Sequence, residues 1–461
     1  MISEEPIQSC PWQRGGRCLE NPRPTGEILR SPVPLRKSPL SDFALEFKTV
    51  GETLRIVSKR ECNTADKPMK AANASRPISL LLVIRSYPPV LGGSEIEAQR
   101  VCAVLLGRGY RVTVLCAGGR PMPEVSNWID PAGVPVRIFG SRSPERFRDY
   151  VFAAGVAWTL LKERRRYQLV YFLMQGLHLA AGLLIARLLA KPIIMKVSGS
   201  GLVPLMQKSR LGRLELHWLQ KWAWRVMILN QGMIEEAIAA GFHPEQLLWM
   251  PNPVDTRDFA PCGREQRKEL RARLSAPPQA CIVVFIGRLA PEKELLSLIG
   301  GFAMATRHAP QSLLLVVGDG PARQDLEDQV SRLNLASQVR FTGRQTVQEV
   351  REWLQVSDVF ALVSSNEGFP CSLVEAMSVG LPSVVSNIPA STQLIDDGIH
   401  GLRVKVRDEA AIGEALSRLL ADEATRSRMG LAARQRVVDH YSLDKVADRY
   451  EALFSEALGS S

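Results

Sequence analysis

Three short segments carry residue types whose spacing could do chemistry. Gly287-Arg288-Leu289, followed by Glu292-Lys293, places two cations five residues apart directly after an apolar run. A planar guanidinium grips two oxygens at once, and an ammonium beside a helix start adds a point charge, so the pair suits a diphosphate. A polar turn with ordinary surface charges is the competing reading and stays open. Glu367-Gly368-Phe369-Pro370-Cys371-Ser372-Leu373-Val374-Glu375 separates two carboxylates by seven residues, one on a loop and one in the first turn of a helix. Such carboxylates accept hydrogen bonds from sugar hydroxyls, while helix-terminal amides face an anion. Ser372-x-x-Glu375 is equally a capping box, which needs no ligand. Gly92-Gly93 lets backbone approach a ligand beside a helix opened by the box Ser94-x-x-Glu97, or serves a turn with positive φ. No Gly-x-Gly-x-x-Gly follows the first strand and no Gly-x-x-x-x-Gly-Lys-Ser/Thr occurs, which argues against a nicotinamide cofactor and a P-loop.

All three segments sit between an apolar strand and a helix. Continuous apolar runs predict strands buried on both faces at 78–84, 112–116, 134–138, 169–172, 193–197 and 226–229. A second alternation predicts strands at 281–286, 313–317, 339–341, 359–363, 383–385 and 402–406, with helices near 294–307, 322–333, 347–355, 372–378 and 410–420. Strand–helix–strand units imply parallel sheets. The fold class is therefore α/β: two tandem doubly wound Rossmann-like domains, 77–262 and 279–440, facing a central cleft. Pro251-Asn252-Pro253, the charged stretch 264–273 and Pro277-Pro278 mark the boundary. Residues 1–76, with eight prolines and no sustained periodicity, read as a disordered extension.

A chain of 461 residues, 46% hydrophobic and 23% charged, suits two soluble domains, and no apolar run reaches the roughly 18 residues of a spanning helix. Eight cysteines include no Cys-x-x-Cys pair, so neither a zinc cage nor a disulfide framework is indicated. The expected location is cytoplasmic. Charge divides the halves: residues 77–260 hold 22 Lys and Arg against 13 Asp and Glu, whereas residues 261–461 hold 23 against 25. No nucleic-acid-binding motif accompanies that basic half, so nucleic acid is not an expected partner.

Taken in order, these pieces resemble glycosyltransferase family 4, the retaining nucleotide-sugar transferases of GT-B fold, from about residue 78 to 458. Phe285-Ile-Gly-Arg-Leu-Ala-Pro-Glu-Lys293 looks like the family's diphosphate loop, and Val317-Gly-Asp-Gly-Pro321 and Phe341-Thr-Gly-Arg344 are further landmarks. The stretch from Glu367 through Glu375-Ala-Met-Ser-Val-Gly-Leu-Pro382 is similar to the family's Glu-x7-Glu segment. The resemblance implies that Arg288 and Lys293, after Gly287, bind the donor diphosphate and that Glu375 binds the ribose. Glu367 and the backbone of Phe369, Pro370, Cys371, Ser372 and Leu373 would face the sugar, and Arg344 would lie beside the base. Gly92 and Gly93 would meet the donor or acceptor from the other domain, and a final helix at 444–458 would cross back to the first domain.

The implied partners are a nucleotide-sugar donor and a glycan or lipid-linked acceptor, in cell-surface polysaccharide or glycolipid synthesis. A non-catalytic, hydrolytic or epimerising sugar-nucleotide-binding protein of the same fold is the alternative. No Asp-x-Asp signature appears in the two loops, so no metal or other cofactor is expected. One departure matters: where many members have His-Gly, this chain has Ser198-Gly199-Ser200-Gly201, and His178 is no obvious replacement. The basic clusters around Arg142, Arg164 and Arg210, with Trp218, Trp222 and Trp224, suggest peripheral contact with an anionic membrane at its inner face.

Overall fold

Runs such as Ser79–Ile84 and Ile282–Ile286 are buried along their whole length, which is what a strand covered by helices on both faces requires. The computed structural model describes residues 77–90, 92–119 and 121–459, together with the backbone of strands β1 (Glu46–Val50) and β2 (Thr53–Val57). Those two strands pair as an antiparallel hairpin, so part of the expected disordered extension is paired; the rest of 1–76 lies outside the described residues. Residues 45–461 form one unit.

The first lobe is built on β3 (Ser79–Ile84), β4 (Arg111–Ala117), β5 (Asn127–Ile129), β6 (Pro135–Phe139), β7 (Leu169–Leu173), β8 (Ile193–Lys196), β9 (Arg225–Ile228) and β10 (Leu247–Trp249). Their order is β10-β9-β8-β7-β3-β4-β6-β5, parallel except for β5 against β6. The second lobe holds β11 (Ile282–Ile286), β12 (Leu313–Val317), β13 (Val339–Gly343), β14 (Val359–Leu362), β15 (Ser383–Ser386) and β16 (Gly401–Val404), all parallel in the order β13-β12-β11-β14-β15-β16. In each sheet the chain winds one way and then reverses, so a switch point falls between β3 and β7 and another between β11 and β14. Ligands of open α/β sheets bind beyond the strand ends at such points. The three motif loops follow β3, β11 and β14.

The charged stretch expected at the boundary is instead a helix, Arg264–Arg273, of the second lobe. Arg267 and Arg271 each grip the Asp358 carboxylate, at 2.7 and 2.8 Å, and Asp358 also accepts from the Ile282 amide at the start of β11. The lobes are joined twice. Val254 donates to the Tyr441 carbonyl and Leu443 to the Val254 carbonyl, so the outgoing and returning segments run side by side. Helix Leu443–Gly459 then buries Val446, Tyr450, Leu453 and Phe454 in the core of the first lobe, and Arg108 reaches Asp448 at 2.6 Å.

Candidate active site

Between the lobes lies a cleft of about 460 Å³ that collects residues from all three loops. On the second lobe, Pro291–Lys293 forms a single 3-10 turn, and Glu294, at φ 52, breaks it before helix Leu295–Ala305. That break aims Lys293 back across the switch point, where its Nζ donates to Glu367 Oε1 at 2.6 Å. Ser364 Oγ donates to the same oxygen at 2.7 Å. Lys293 and Glu367 are largely shielded, whereas Arg288 is 67% exposed in its side chain and is held by Glu292 at 2.6 Å. Gly287 and Arg344 line the same cleft.

Helix Cys371–Val379 starts at Pro370 with no side-chain cap, so the Ser372–Glu375 capping box does not form. Glu375 instead pairs with Arg100 of the first lobe at 3.3 Å. Burial pushes its carboxyl up, and the Arg100 guanidinium opposes that shift. The box at Ser94 is also absent: helix Gly93–Gly107 begins at Gly92 without a side-chain cap. Gly92 has φ −161, an extended geometry open to any residue, so its turn does not require positive φ. A Cβ there would displace the movable Glu95 carboxylate, and one on Gly93 would meet Cys371 Sγ at 3.8 Å, an ordinary contact, so packing does not demand glycine at either position.

Gly92, Gly93, Gly287, Arg288, Lys293, Arg344, Glu367, Pro370, Cys371, Ser372 and Glu375 all line the cleft. Phe369 and Leu373 do not. Both side chains are in the apolar core, Phe369 beside Tyr441, because an aromatic and a leucine at a strand-to-helix turn gain more from burial than from solvent. Their part in the site is limited to backbone.

Beyond Gly92 and Gly93, sequence reasoning missed what the first lobe contributes. Glu97 lines the cleft and pairs with the fully buried Lys196 of β8. Lys196 also donates to Asn252 Oδ1 at 2.9 Å, and Asn252 Nδ2 reaches Cys371 Sγ at 3.4 Å. Desolvation lowers the Lys196 pKa and the Glu97 carboxylate opposes it, while burial pushes the Cys371 thiol up to about 11. These partners are scattered along the chain, so no local spacing announces them. His178 is not a substitute ligand. It is buried against Phe152 at 4.9 Å, and burial lowers its pKa to about 4, so it is a neutral packing residue.

Two family models match the chain: "Glycosyl transferases group 1" over residues 266–436 and "Glycosyl transferase 4-like domain" over residues 92–253. Among curated proteins, the UDP-Gal:alpha-D-GlcNAc-diphosphoundecaprenol alpha-1,3-galactosyltransferase of Escherichia coli is 28% identical over 79% of this chain and 94% of its own. The alpha-D-kanosaminyltransferase of Streptomyces kanamyceticus is 26% identical over 59% of this chain and 72% of its own. Other relatives are covered over about half their length, among them N-acetyl-alpha-D-glucosaminyl L-malate synthase of Bacillus anthracis at 46%. Anabaena HepE in complex with UDP-glucose superposes with a TM-score of 0.69 at 19% identity, covering 82% of this chain and all of that one. The protein is a glycosyltransferase with the GT-B fold, its second lobe matching the group 1 model and its first lobe the 4-like model.

Proposed function

We propose that this enzyme transfers a sugar from a nucleoside-diphosphate donor, held by the second lobe, to a hydroxyl of a glycan or lipid-linked acceptor, with retention at the anomeric carbon. The observation that carries the reading is the shielded Lys293–Glu367 pair at 2.6 Å, set beside Arg288 and Glu375 at the β11/β14 switch point. When the anomeric C–O bond breaks, negative charge gathers on the departing diphosphate. Arg288, Lys293 and the amides opening helix Cys371–Val379 stabilise that charge most in the transition state, which accelerates transfer. The acceptor oxygen bonds to the anomeric carbon on the same face, and its proton passes to the leaving phosphate. Glu367 Oε1 already accepts from Lys293 and Ser364, which dulls it as a nucleophile and favours same-face attack over a covalent intermediate. Glu375 takes the ribose, Arg344 lies beside the base, and the two cations act where other transferases use a metal, so chelation leaves the rate unchanged.

A thermal-shift screen of UDP, GDP, ADP and dTDP and their sugars tests the donor reading, since occupancy raises the melting temperature by mass action. No shift with any of them at millimolar concentration refutes it. Proton NMR of the product reads the anomeric configuration.

The first lobe, we infer, rests peripherally on an anionic membrane at its inner face, bringing the cleft to a lipid-linked acceptor. The supporting surface is not the tryptophan segment expected from composition. Trp218 and Trp222 stack at 4.9 Å and pack on the core, and Trp224 lies under the Arg225 guanidinium. Of the 18 large apolar side chains exposed among the described residues, 12 fall within 125–214. Phe147, Tyr150, Trp158 and Leu161 form one stripe on helix Glu145–Lys162, beside exposed Arg146, Lys162 and Arg164. An outward apolar stripe rimmed by cations suits the headgroup boundary. No helix of the described residues is long and apolar enough to cross a membrane.

A further inference from the structure

The loop Ser198–Gly201, where the resemblance leads one to look for a histidine, does not stand empty-handed. It packs across the cleft onto the backbone that carries Glu367. Ser200 Oγ donates to the Glu367 carbonyl oxygen at 2.6 Å. Asn230, 2% exposed at the end of β9, donates its Nδ2 to the Gly368 carbonyl at 2.6 Å and to the Glu367 carbonyl at 3.3 Å. The first lobe therefore holds two successive carbonyls of the second lobe's donor loop with side-chain donors.

The clamp is itself fixed. Asn230 Oδ1 caps helix Gln231–Ala239 by accepting from the Met233 amide at 3.0 Å, so its amide group has one orientation. Glu236, on that helix, accepts from the Gly201 amide at 3.1 Å and ties the loop down. Gly368 supplies the steric complement. Its φ lies outside the left-handed region, so its own backbone does not demand glycine. A Cβ there would lie 2.9 Å from Gly199 Cα and 3.3 Å from both the Ser198 carbonyl and the Ser200 amide. The requirement for a bare backbone at Gly368 comes from the opposite lobe.

We propose that Ser200 and Asn230 are positioning residues that clamp the Glu367–Gly368 peptides from the opposite lobe and so set the Glu367 carboxylate against Lys293. This rests on the reading of Glu367 as a group facing the donor sugar. Two hydrogen bonds to adjacent carbonyls fix both translation and rotation of the loop, and small misplacements of a reacting group are costly in rate. The clamp forms only when the lobes are together, so it orders Glu367 in the closed state and releases it on opening.

The test uses the full chain with Asn230→Ser, Ser200→Ala and Ser200→Thr. Serine at 230 keeps the helix cap but cannot reach the Gly368 carbonyl, so a role in capping alone leaves everything unchanged. The expected result, with UDP-glucose as the first donor tried and the nucleotide sugar that stabilises the wild type thereafter, is a kcat about tenfold lower. The donor KM stays within about twofold and the melting temperature within about 2 °C of wild type. Hydrogen–deuterium exchange of peptides spanning 364–373 quickens about fivefold, roughly what one ordinary hydrogen bond holds. Ser200→Thr restores both the kcat and the protection. Wild-type kcat and wild-type exchange in Asn230→Ser and Ser200→Ala overturn the proposal, as does a kcat loss that threonine fails to rescue. If the wild type turns over no nucleotide sugar, the transferase reading falls, while the exchange arm still decides the clamp.

Discussion

Replacing Lys196 by methionine should destabilise this enzyme more than almost any other single polar substitution. Lys196 is fully buried and Glu97 is 4% exposed, so their charges survive only because each answers the other. The ammonium also donates to Asn252 at 2.9 Å and to the Tyr450 hydroxyl at 3.4 Å. Methionine fills the stem's volume but leaves Glu97 with a single donor among these groups, Tyr450 OH at 3.2 Å. An uncompensated buried charge of this kind costs about 3–5 kcal/mol. For a lobe of this size each kcal/mol moves the melting temperature by about 2–4 °C, so a drop of about 10 °C is the expected reading. The double variant Lys196→Met/Glu97→Gln removes both charges and leaves Tyr450 an amide oxygen to bond. It should recover at least half of the loss, a coupling of about 2 kcal/mol. Thermal and urea unfolding followed by circular dichroism measure all four corners of the cycle. If the double variant is no more stable than Lys196→Met, the pair is not a coupled buried ion pair and the reasoning fails.

Three further outcomes are expected elsewhere in the molecule. Arg288→Ala or Lys293→Ala should lower the transfer rate by about 2–4 kcal/mol of transition-state stabilisation, the melting temperature staying nearly unchanged for the exposed Arg288 but falling for Lys293, whose loss strips the shielded Glu367 of its cation, and near wild-type turnover at saturating donor refutes the diphosphate assignment. Burial pushes the Glu215 carboxyl up to about 7, so its neutral form favours folding. That contribution is present below about pH 4.5 and is lost as pH rises through 7. Glu215→Gln, which still accepts from the Gly176 amide, should therefore match wild type near pH 4 and exceed it by up to about 3 kcal/mol at pH 8 in unfolding experiments. Sedimentation with liposomes should show binding to anionic but not neutral vesicles, weakening as salt rises, and Trp158→Ala/Phe147→Ala should reduce it several-fold; equal, negligible binding to both vesicle types removes the membrane from the proposal.

The second lobe was legible because its information is local. Five consecutive apolar residues at Ile282–Ile286 specify a buried strand, and the chemistry follows within seven positions, at Arg288 and Lys293. Every strand of four or more residues in the two lobes was placed to within two residues on the same principle, whereas β1 and β2 fell in the stretch read as disordered. The short strands β5 and β10, three residues each, were missed because three residues carry no measurable period. The capping boxes misled for a related reason: Ser94-x-x-Glu97 and Ser372-x-x-Glu375 fit a local rule, but Glu97 and Glu375 found stronger partners far off in sequence, Lys196 and Arg100. A glutamate that can reach a buried cation gains more there than from one amide at a helix start. The tryptophans at 218 and 222, grouped by composition with the basic clusters, stack on each other and pack partly buried on the core.

Those distant partners change how donor binding must work. On the proposed reading, Arg344 lies beside the base, and the other three cations that line the cleft, Arg288, Lys293 and Arg100, are each already matched to a carboxylate: Glu292, Glu367 and Glu375. A diphosphate entering the site therefore competes for cations rather than meeting bare ones. At Arg288, mostly exposed, the exchange costs little because an exposed pair is worth little. At Glu375 the cost is larger, since the pair is shielded and its partner belongs to the other lobe. A ribose that takes the Glu375 carboxylate weakens a contact holding the lobes together, while Ser200 and Asn230 keep holding the Glu367 loop. Donor affinity and lobe closure are thus linked through Arg100, and the linkage runs through a residue that no motif in the sequence marks.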